Sequence, residues 1–353
     1  MKVTLVSTAA WLLWLALAPQ APPVPAAADL KTWLAGRATA FSGVVLVGRG
    51  DQVQLLEAYG VADRAAGRPN TVDTRFNLGS INKTFTAVAL AQLIQQGRVS
   101  LDDPLAKHLP DYSNRAAAAR ITIRDLLSHR AGVATFMRAD FGSASVAEMA
   151  RMVAAEPQVF EPGARQEYSN GGYILLGRVI EVAAGRSYAD YVAEHVYRPA
   201  GMTSSGFVTT ADSGAVALGY FTADAQGRPM MGGPSVGSNP PAPGNPAGGG
   251  YSTAADLFRF ARALQGGRLL DQKMSDYLLN GTFAAEPKFG FALREQMASG
   301  RRLVGNGGGA PGVNAEFRLE PAGDLTVVVL ANSSPPAATD LLGEILTHAT
   351  GSK

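Results

Sequence analysis

The chain has 353 residues, is 46% hydrophobic and carries a formal charge of +2, the balance of a globular protein with material for a core rather than of a disordered chain. No basic cluster stands out, which argues against a nucleic-acid partner. Cysteine is absent, so disulfides, thiolate nucleophiles and cysteine metal sites are excluded.

Residues 1–28 read as a secretory signal. Lys2 supplies the positive end, an apolar stretch runs from Ala9 to Ala18, and a Pro/Ala-rich run ends in Ala26-Ala27-Ala28, an A-x-A cleavage site. The apolar run is shorter than the ~20 residues a membrane span needs. The expectation is a periplasmic or secreted protein with no stable span once the signal is removed, leaving 29–353 as one domain.

Ser42 to Arg49 is a run of β-branched and apolar residues, and Val53 to Tyr59 follows after a turn. Together they predict a hairpin with one face buried. From Asn77 the pattern becomes helical. Thr84 to Gln96 is apolar on nearly every side, the mark of a buried helix, and Gly97 is placed to end it. Further helices are predicted at Ile123 to Ser128, Val146 to Ala155, Gly172 to Ala184, Tyr188 to Tyr197 and Ala254 to Leu264. The stretch Gly232 to Gly250 is too rich in Gly and Pro for regular structure and suggests a site edge. Strands return at Gly290 to Met297, Arg301 to Val304, Ala315 to Leu319 and Leu325 to Ala331, followed by a helix from Ala337 to His348. The economical architecture is α/β: an antiparallel sheet from about 29–75 and 287–353, flanked by helices, with a helical region inserted at about 76–286.

Three segments carry chemistry. Ser80-Ile-Asn-Lys83 is an S-x-x-K pattern, which alone recurs by chance. Here both residues lie one turn apart on an otherwise apolar helix. A lysine there must be paired or functional, and desolvation lowers its pKa so that it can take a proton from serine. Tyr168-Ser-Asn170 precedes a Gly-Gly pair and an apolar helix. A phenol beside a lysine ammonium is favoured as phenolate and can shuttle protons, while Asn170 can hold the lysine and a substrate amide. Tyr112-Ser-Asn114 has the same letters in a polar setting and reads as a surface turn. Gly305-Asn306-Gly307-Gly308-Gly309 follows a strand, where glycines let a substrate backbone approach.

These segments resemble the serine β-lactamase family in its broad sense: class C β-lactamases, D-alanyl-D-alanine carboxypeptidases, D-aminopeptidases and β-lactamase-like carboxylesterases. Phe76-Asn-Leu-Gly-Ser80-Ile-Asn-Lys83-Thr-Phe-Thr-Ala87 resembles its first motif and Tyr168-Ser-Asn170 its Tyr-x-Asn motif. Leu101-Asp-Asp-Pro104, Ile121-Thr-Ile-Arg-Asp-Leu-Leu-Ser-His129-Arg-Ala-Gly132 and the glycine-rich Asn245 to Leu257 resemble further family segments. The resemblance runs from about Ser42 to Asn332. It implies a β-lactamase-like fold and an acyl-enzyme mechanism in which Ser80 attacks an ester or amide carbonyl. Lys83 with Tyr168 takes the proton, the N–H groups of Ser80 and Gly309 hold the oxyanion, and Tyr168 protonates the leaving group.

The family's third motif usually begins with Lys or His, and this chain has Asn306, which donates hydrogen bonds but carries no charge. That tilts the expectation toward a small-molecule ester, with D-Ala-D-Ala carboxypeptidase, β-lactamase or a non-catalytic binding protein as alternatives. Arg294, Arg301 and Arg302 lie near in sequence as other sources of charge. Gly233-Pro-Ser235-Val-Gly237 matches a G-x-S-x-G elbow but lacks its strand-turn-helix setting. His129 reads as a structural wall behind the site. No H-E-x-x-H pattern occurs, so neither metal nor other cofactor is expected.

Overall fold

The computed structural model describes residues 27–37, 40–135, 144–207, 216–224, 226, 229–230, 237–239, 244–281, 292–298 and 300–349. Residues 1–26 of the expected signal segment 1–28, and the G-x-S-x-G match around Ser235, lie outside them. The elements that frame the site are α1 (Ala27–Arg37), β1 (Gly43–Arg49), β2 (Gln52–Tyr59), α2 (Asn82–Gln95), α3 (Val146–Ala155), α4 (Asn170–Ala184), α5 (Ala254–Gln265), β3 (Arg294–Ala298), β4 (Arg301–Ala310), β5 (Val313–Leu319), β6 (Leu325–Ala331) and α6 (Ala337–Ala349).

The six strands form one antiparallel sheet in the order β3-β4-β5-β6-β1-β2. The first hairpin therefore pairs with the last strand, Gly43 opposite Ala331 and Arg49 opposite Leu325. Residue alternation along each strand divides the interior into two cores. Val44 and Leu46 of β1, Ala315 and Phe317 of β5 and Val328 and Leu330 of β6 face the main core, shared with α2, α4 and α5. Val45 and Val47, with Val327 and Val329, face a second core closed by α1 and α6.

The sequence predicts one buried face for the first hairpin. In the structure β1 is buried on both faces, because α1 covers the second one with Leu30 and Leu34, one turn apart and almost fully buried. Helix α1 gives little apolar signal beyond that pair. Two further differences concern glycine. The predicted strand Arg301 to Val304 continues to Ala310, since pairing with β5 holds Asn306 opposite Phe317 and Gly309 opposite Asn314. Within the stretch expected to be irregular, Gly237–Asn239 is a strand paired with Gly219–Phe221.

Helix α2 is buried on every side, from Asn82 through Ala91. Two of its polar residues are answered by the glycine-rich segment before α5: Asn82 Nδ2 donates to Asn245 O at 2.7 Å and Thr86 Oγ1 to Pro246 O at 2.7 Å. That segment also accepts from and donates to the chain leading into α2, through Leu78 N–H to Gly250 O at 2.8 Å and Gly249 N–H to Gly79 O at 3.3 Å. The start of α2 is thus clamped between β4 on one side and residues 245–250 on the other. Among the described residues no helix is long and apolar enough to cross a membrane.

Candidate active site

A 3-10 turn, Gly79–Ile81, carries Ser80 into α2. This turn lies against β4 so closely that both chains need glycine. A Cβ on Gly308 would stand 2.0 Å from Leu78 O, and Gly79, at φ +50°, has its Cβ direction 3.1 Å from Gly309 N. The approach sets the Ser80 and Gly309 backbones side by side.

Lys83 follows Ser80 by one turn and is fully buried. Its Nζ lies 3.1 Å from Ser80 Oγ, donates to Asn170 Oδ1 at 2.7 Å and donates to Ala247 O. Burial, reinforced by the positive charge of Arg294, holds this amine well below its ordinary pKa. The two carbonyl partners can only accept. A neutral Lys83 gives them its two N–H bonds and turns its lone pair to Ser80.

Tyr168 reaches the same hydroxyl from the other side, with Oη 2.6 Å from Ser80 Oγ. Its position comes from the start of α4. Ser169 caps that helix by accepting from Gly172 N–H at 3.0 Å, and its own N–H donates to His129 Nδ1 at 3.2 Å. The His129 ring lies 4.7 Å from the Tyr168 ring. Burial, Lys83 and Arg294 push His129 down to about 3, so the imidazole is neutral and accepts at Nδ1. The sequence expectation of a phenolate does not hold for Tyr168. Burial raises its pKa against the opposing effects of the Ser80 hydrogen bond and Arg294, because the amine that was to stabilise a phenolate is itself desolvated. The consistent proton order is phenol to Ser80 Oγ and Ser80 O–H to Lys83 Nζ.

The structure brings Ser80, Lys83, Tyr168 and Asn170 together. It places Asn306, Gly307, Gly308 and Gly309 along one wall of a cavity of about 570 Å³ that also exposes Ser80, Tyr168 and Asn170. Asn306 is turned otherwise than expected. Its Nδ2 donates to Ser80 O at 3.0 Å, its Oδ1 accepts from Gly307 N–H at 2.9 Å, and the residue is 7% exposed. It ties β4 to the backbone of the nucleophile. Of the three arginines near it in sequence, Arg294 lines the cavity. Arg301 pairs with Glu320 at 2.9 Å and Arg302 with Glu295 at 2.5 Å. Tyr112 is not in a surface turn: it is buried in the main core, away from the cavity lining, and Asn114 caps the short helix Arg115–Ala118.

Ala247 escapes sequence reasoning, because it acts through its carbonyl and any residue type offers one. The glycine-rich segment around it was the available signal. Glu316 and Arg318, which also line the cavity, are hidden in an ordinary strand pattern. A wider hollow of about 1100 Å³ between α1 and α6, lined by Trp33, Arg37, Glu344 and His348 among others, holds no comparable serine and lysine pair. Among the described residues no three His, Asp or Glu side chains gather as a metal site.

Residues 30–351 match the family model described as Beta-lactamase. The chain belongs to the β-lactamase family. It is 30% identical over 323 residues to penicillin-binding protein 4 of Amycolatopsis lactamdurans, covering 83% of this chain and 82% of that one. It is 33% identical over 184 residues to esterase EstB of Burkholderia gladioli, covering 47% of each. The crystal structure of D-amino acid amidase from Ochrobactrum anthropi SV3 complexed with D-phenylalanine superposes with a TM-score of 0.78 at 26% identity, over 92% of this chain and 100% of that one. This β-lactamase-family chain is accordingly a serine hydrolase by kinship, built on the antiparallel sheet and helices that its sequence predicts.

Proposed function

We propose that the protein is an exported hydrolase that works through an acyl-enzyme on Ser80, with uncharged esters as preferred substrates. The observation that carries the chemistry is the surround of Lys83: fully buried, held by two carbonyl oxygens and 3.1 Å from Ser80 Oγ. The Ser80 proton passes to Lys83 Nζ as Oγ bonds to the substrate carbonyl carbon. The N–H groups of Ser80 and Gly309 receive the oxyanion, an interaction worth about 3–4 kcal/mol in such sites. Tyr168 gives its proton to the leaving group and recovers one from the Lys83 ammonium. Water then attacks the acyl-enzyme under the same base, and Ser80 leaves protonated.

The preference for esters rests on Asn306, which is neutral and already bonded to Ser80 O, and on the kinship with an esterase. Arg294 in the cavity wall favours a second reading, in which a carboxylate-bearing β-lactam or D-Ala-D-Ala peptide is accepted. Export rests on the signal-like segment ending at Ala28. A fluorophosphonate probe read by intact mass should add one label to the wild type and none to Ser80→Ala, while Ser235→Ala should label normally. A label that survives in Ser80→Ala overturns the assignment. A screen of nitrophenyl esters, a chromogenic cephalosporin and D-amino-acid peptides decides between the two substrate readings. Failure of the wild type to label or turn over any of them favours a binding protein that keeps the fold.

A further inference from the structure

Lys83 takes a proton in a place that offers little to hold the charge. It is fully buried, and its polar partners Asn170 Oδ1 and Ala247 O are neutral. The charge that acts on it, that of Arg294, is repulsive, and the neighbouring His129 imidazole is uncharged. Two aromatic faces close in beside these groups. Lys83 Nζ lies over the Tyr168 ring, 4.8 Å from its centroid, and over the Tyr173 ring at 5.6 Å.

Tyr173 follows Asn170 by three residues in α4, so the face of the helix that gives Lys83 its amide acceptor also gives it this ring. The side chain is fully buried. Its hydroxyl donates to Leu127 O at 2.9 Å, and its ring packs 5.1 Å from that of His129. The ring is therefore held at its tip and along its edge. Tyr173 is absent from the cavity lining, so it meets no substrate. Burial holds its phenol far above the ordinary pKa, so it carries no negative charge. What it offers Lys83 is the ring face, whose quadrupole attracts a cation, and more strongly where water is excluded.

We propose that the face of the Tyr173 ring stabilises the ammonium that Lys83 becomes when it takes the Ser80 proton. In that step Ser80 Oγ bonds to the carbonyl carbon, the carbonyl π pair moves onto oxygen, and the Ser80 proton passes to the lone pair of Lys83 Nζ. The amine is neutral before and cationic after. A ring face attracts the cation far more than the amine, so the interaction strengthens toward the transition state and speeds the step. The Tyr168 ring lies closer, but its hydroxyl is bonded to Ser80 and takes part in the proton transfers. Tyr173 acts through Lys83 alone. The proposal rests on Lys83 as the base of the acyl transfer.

Tyr173→Phe keeps the ring and gives up the hydrogen bond to Leu127 O; it should melt lower and keep the acidic limb of the kcat/KM profile near its wild-type pH. Placing 4-fluoro-, 3,5-difluoro- and 3,4,5-trifluorophenylalanine at position 173 then drains the ring face stepwise at nearly constant shape. Relative to Tyr173→Phe, the plateau of kcat/KM for a nitrophenyl ester should fall progressively, by about three- to thirtyfold across the series. A ring that favours the ammonium raises the pKa of Lys83, and activity is lost as pH falls through that pKa. The limb should therefore move to lower pH, by about 0.5–1.5 across the series, the direction opposite to that for removal of a positive charge. Carbon-13 NMR of lysine-labelled protein carrying Ser80→Ala should show the Lys83 titration moving the same way. A plateau and limb that ignore fluorination, a limb that moves up, or a Tyr173→Phe protein that already loses as much as the trifluoro variant overturns the proposal. A Lys83 titration that follows fluorination in a protein that turns over no ester overturns the hydrolase reading and leaves the hold of the ring on the ammonium standing.

Discussion

Asn306→Ala separates a residue that holds the nucleophile from one that meets the substrate. The side chain spends its donor on Ser80 O at 3.0 Å and its acceptor on Gly307 N–H at 2.9 Å, in a position that is 7% exposed. Alanine leaves a part-buried carbonyl and a part-buried N–H without these partners, at about 1–2 kcal/mol each. The Gly307 share appears as lost stability. The Ser80 share loosens the backbone that aims Oγ at the carbonyl carbon, and each 1.4 kcal/mol lost only in the transition state is about tenfold in rate. The expected result is a fall of about ten- to a hundredfold in kcat, with KM changed by less than about threefold. Asn306→Asp should lose at least as much, because its second oxygen would face Ser80 O with no proton between them. Asn306→Lys gives up the acceptor for Gly307 N–H, so it should lose ester turnover before it gains any β-lactam. The assay is steady-state hydrolysis of a nitrophenyl ester, alongside the second-order rate of fluorophosphonate labelling and a thermal melt. An unchanged kcat with a raised KM refutes the reasoning and returns Asn306 to the substrate.

Tyr168→Phe should cost at least about a hundredfold in kcat, the usual worth of a positioned proton donor, while Tyr112→Phe should leave kcat nearly unchanged; the reverse ranking in an ester assay would mean that the other Tyr-Ser-Asn copy acts. Arg294→Ala removes a positive charge that helps hold Lys83 below its ordinary pKa. The Lys83 pKa should rise and the acidic limb of the pH profile of kcat/KM should move to higher pH, since activity is lost as pH falls through the pKa of the base; a limb that stays or moves down contradicts Lys83 as that base.

The sheet was legible in the sequence because β1, β5 and β6 are runs of β-branched and apolar residues, and because strands at both ends of a chain with helices between leave few economical arrangements. Helix α1 was not, since only Leu30 and Leu34 are fully buried in it, with Trp33 partly so, and a pair one turn apart is weak periodicity. The extension of β4 through Gly305 to Gly309 was hidden for a related reason. Glycine disfavours strands, and only the partner β5 and the close approach of Leu78 and Gly79 make that backbone extended and bare.

At the site, Ser80 and Lys83 were readable because a helix fixes what shares a face at three residues apart. The protonation states were not, because they depend on how much water reaches each group. Lys83 is desolvated enough that it offers Tyr168 little positive charge, which reverses the direction expected for the phenol. Asn306 is the sharpest case. Its residue type announced a lost charge, but its function is set by what lies within 3.0 Å, and that neighbour, Ser80 O, is 226 residues away in sequence. A letter in a motif therefore does not by itself say what its side chain touches. Here the side chain is bonded to the scaffold, and a cation, Arg294, stands in the cavity wall on the neighbouring strand.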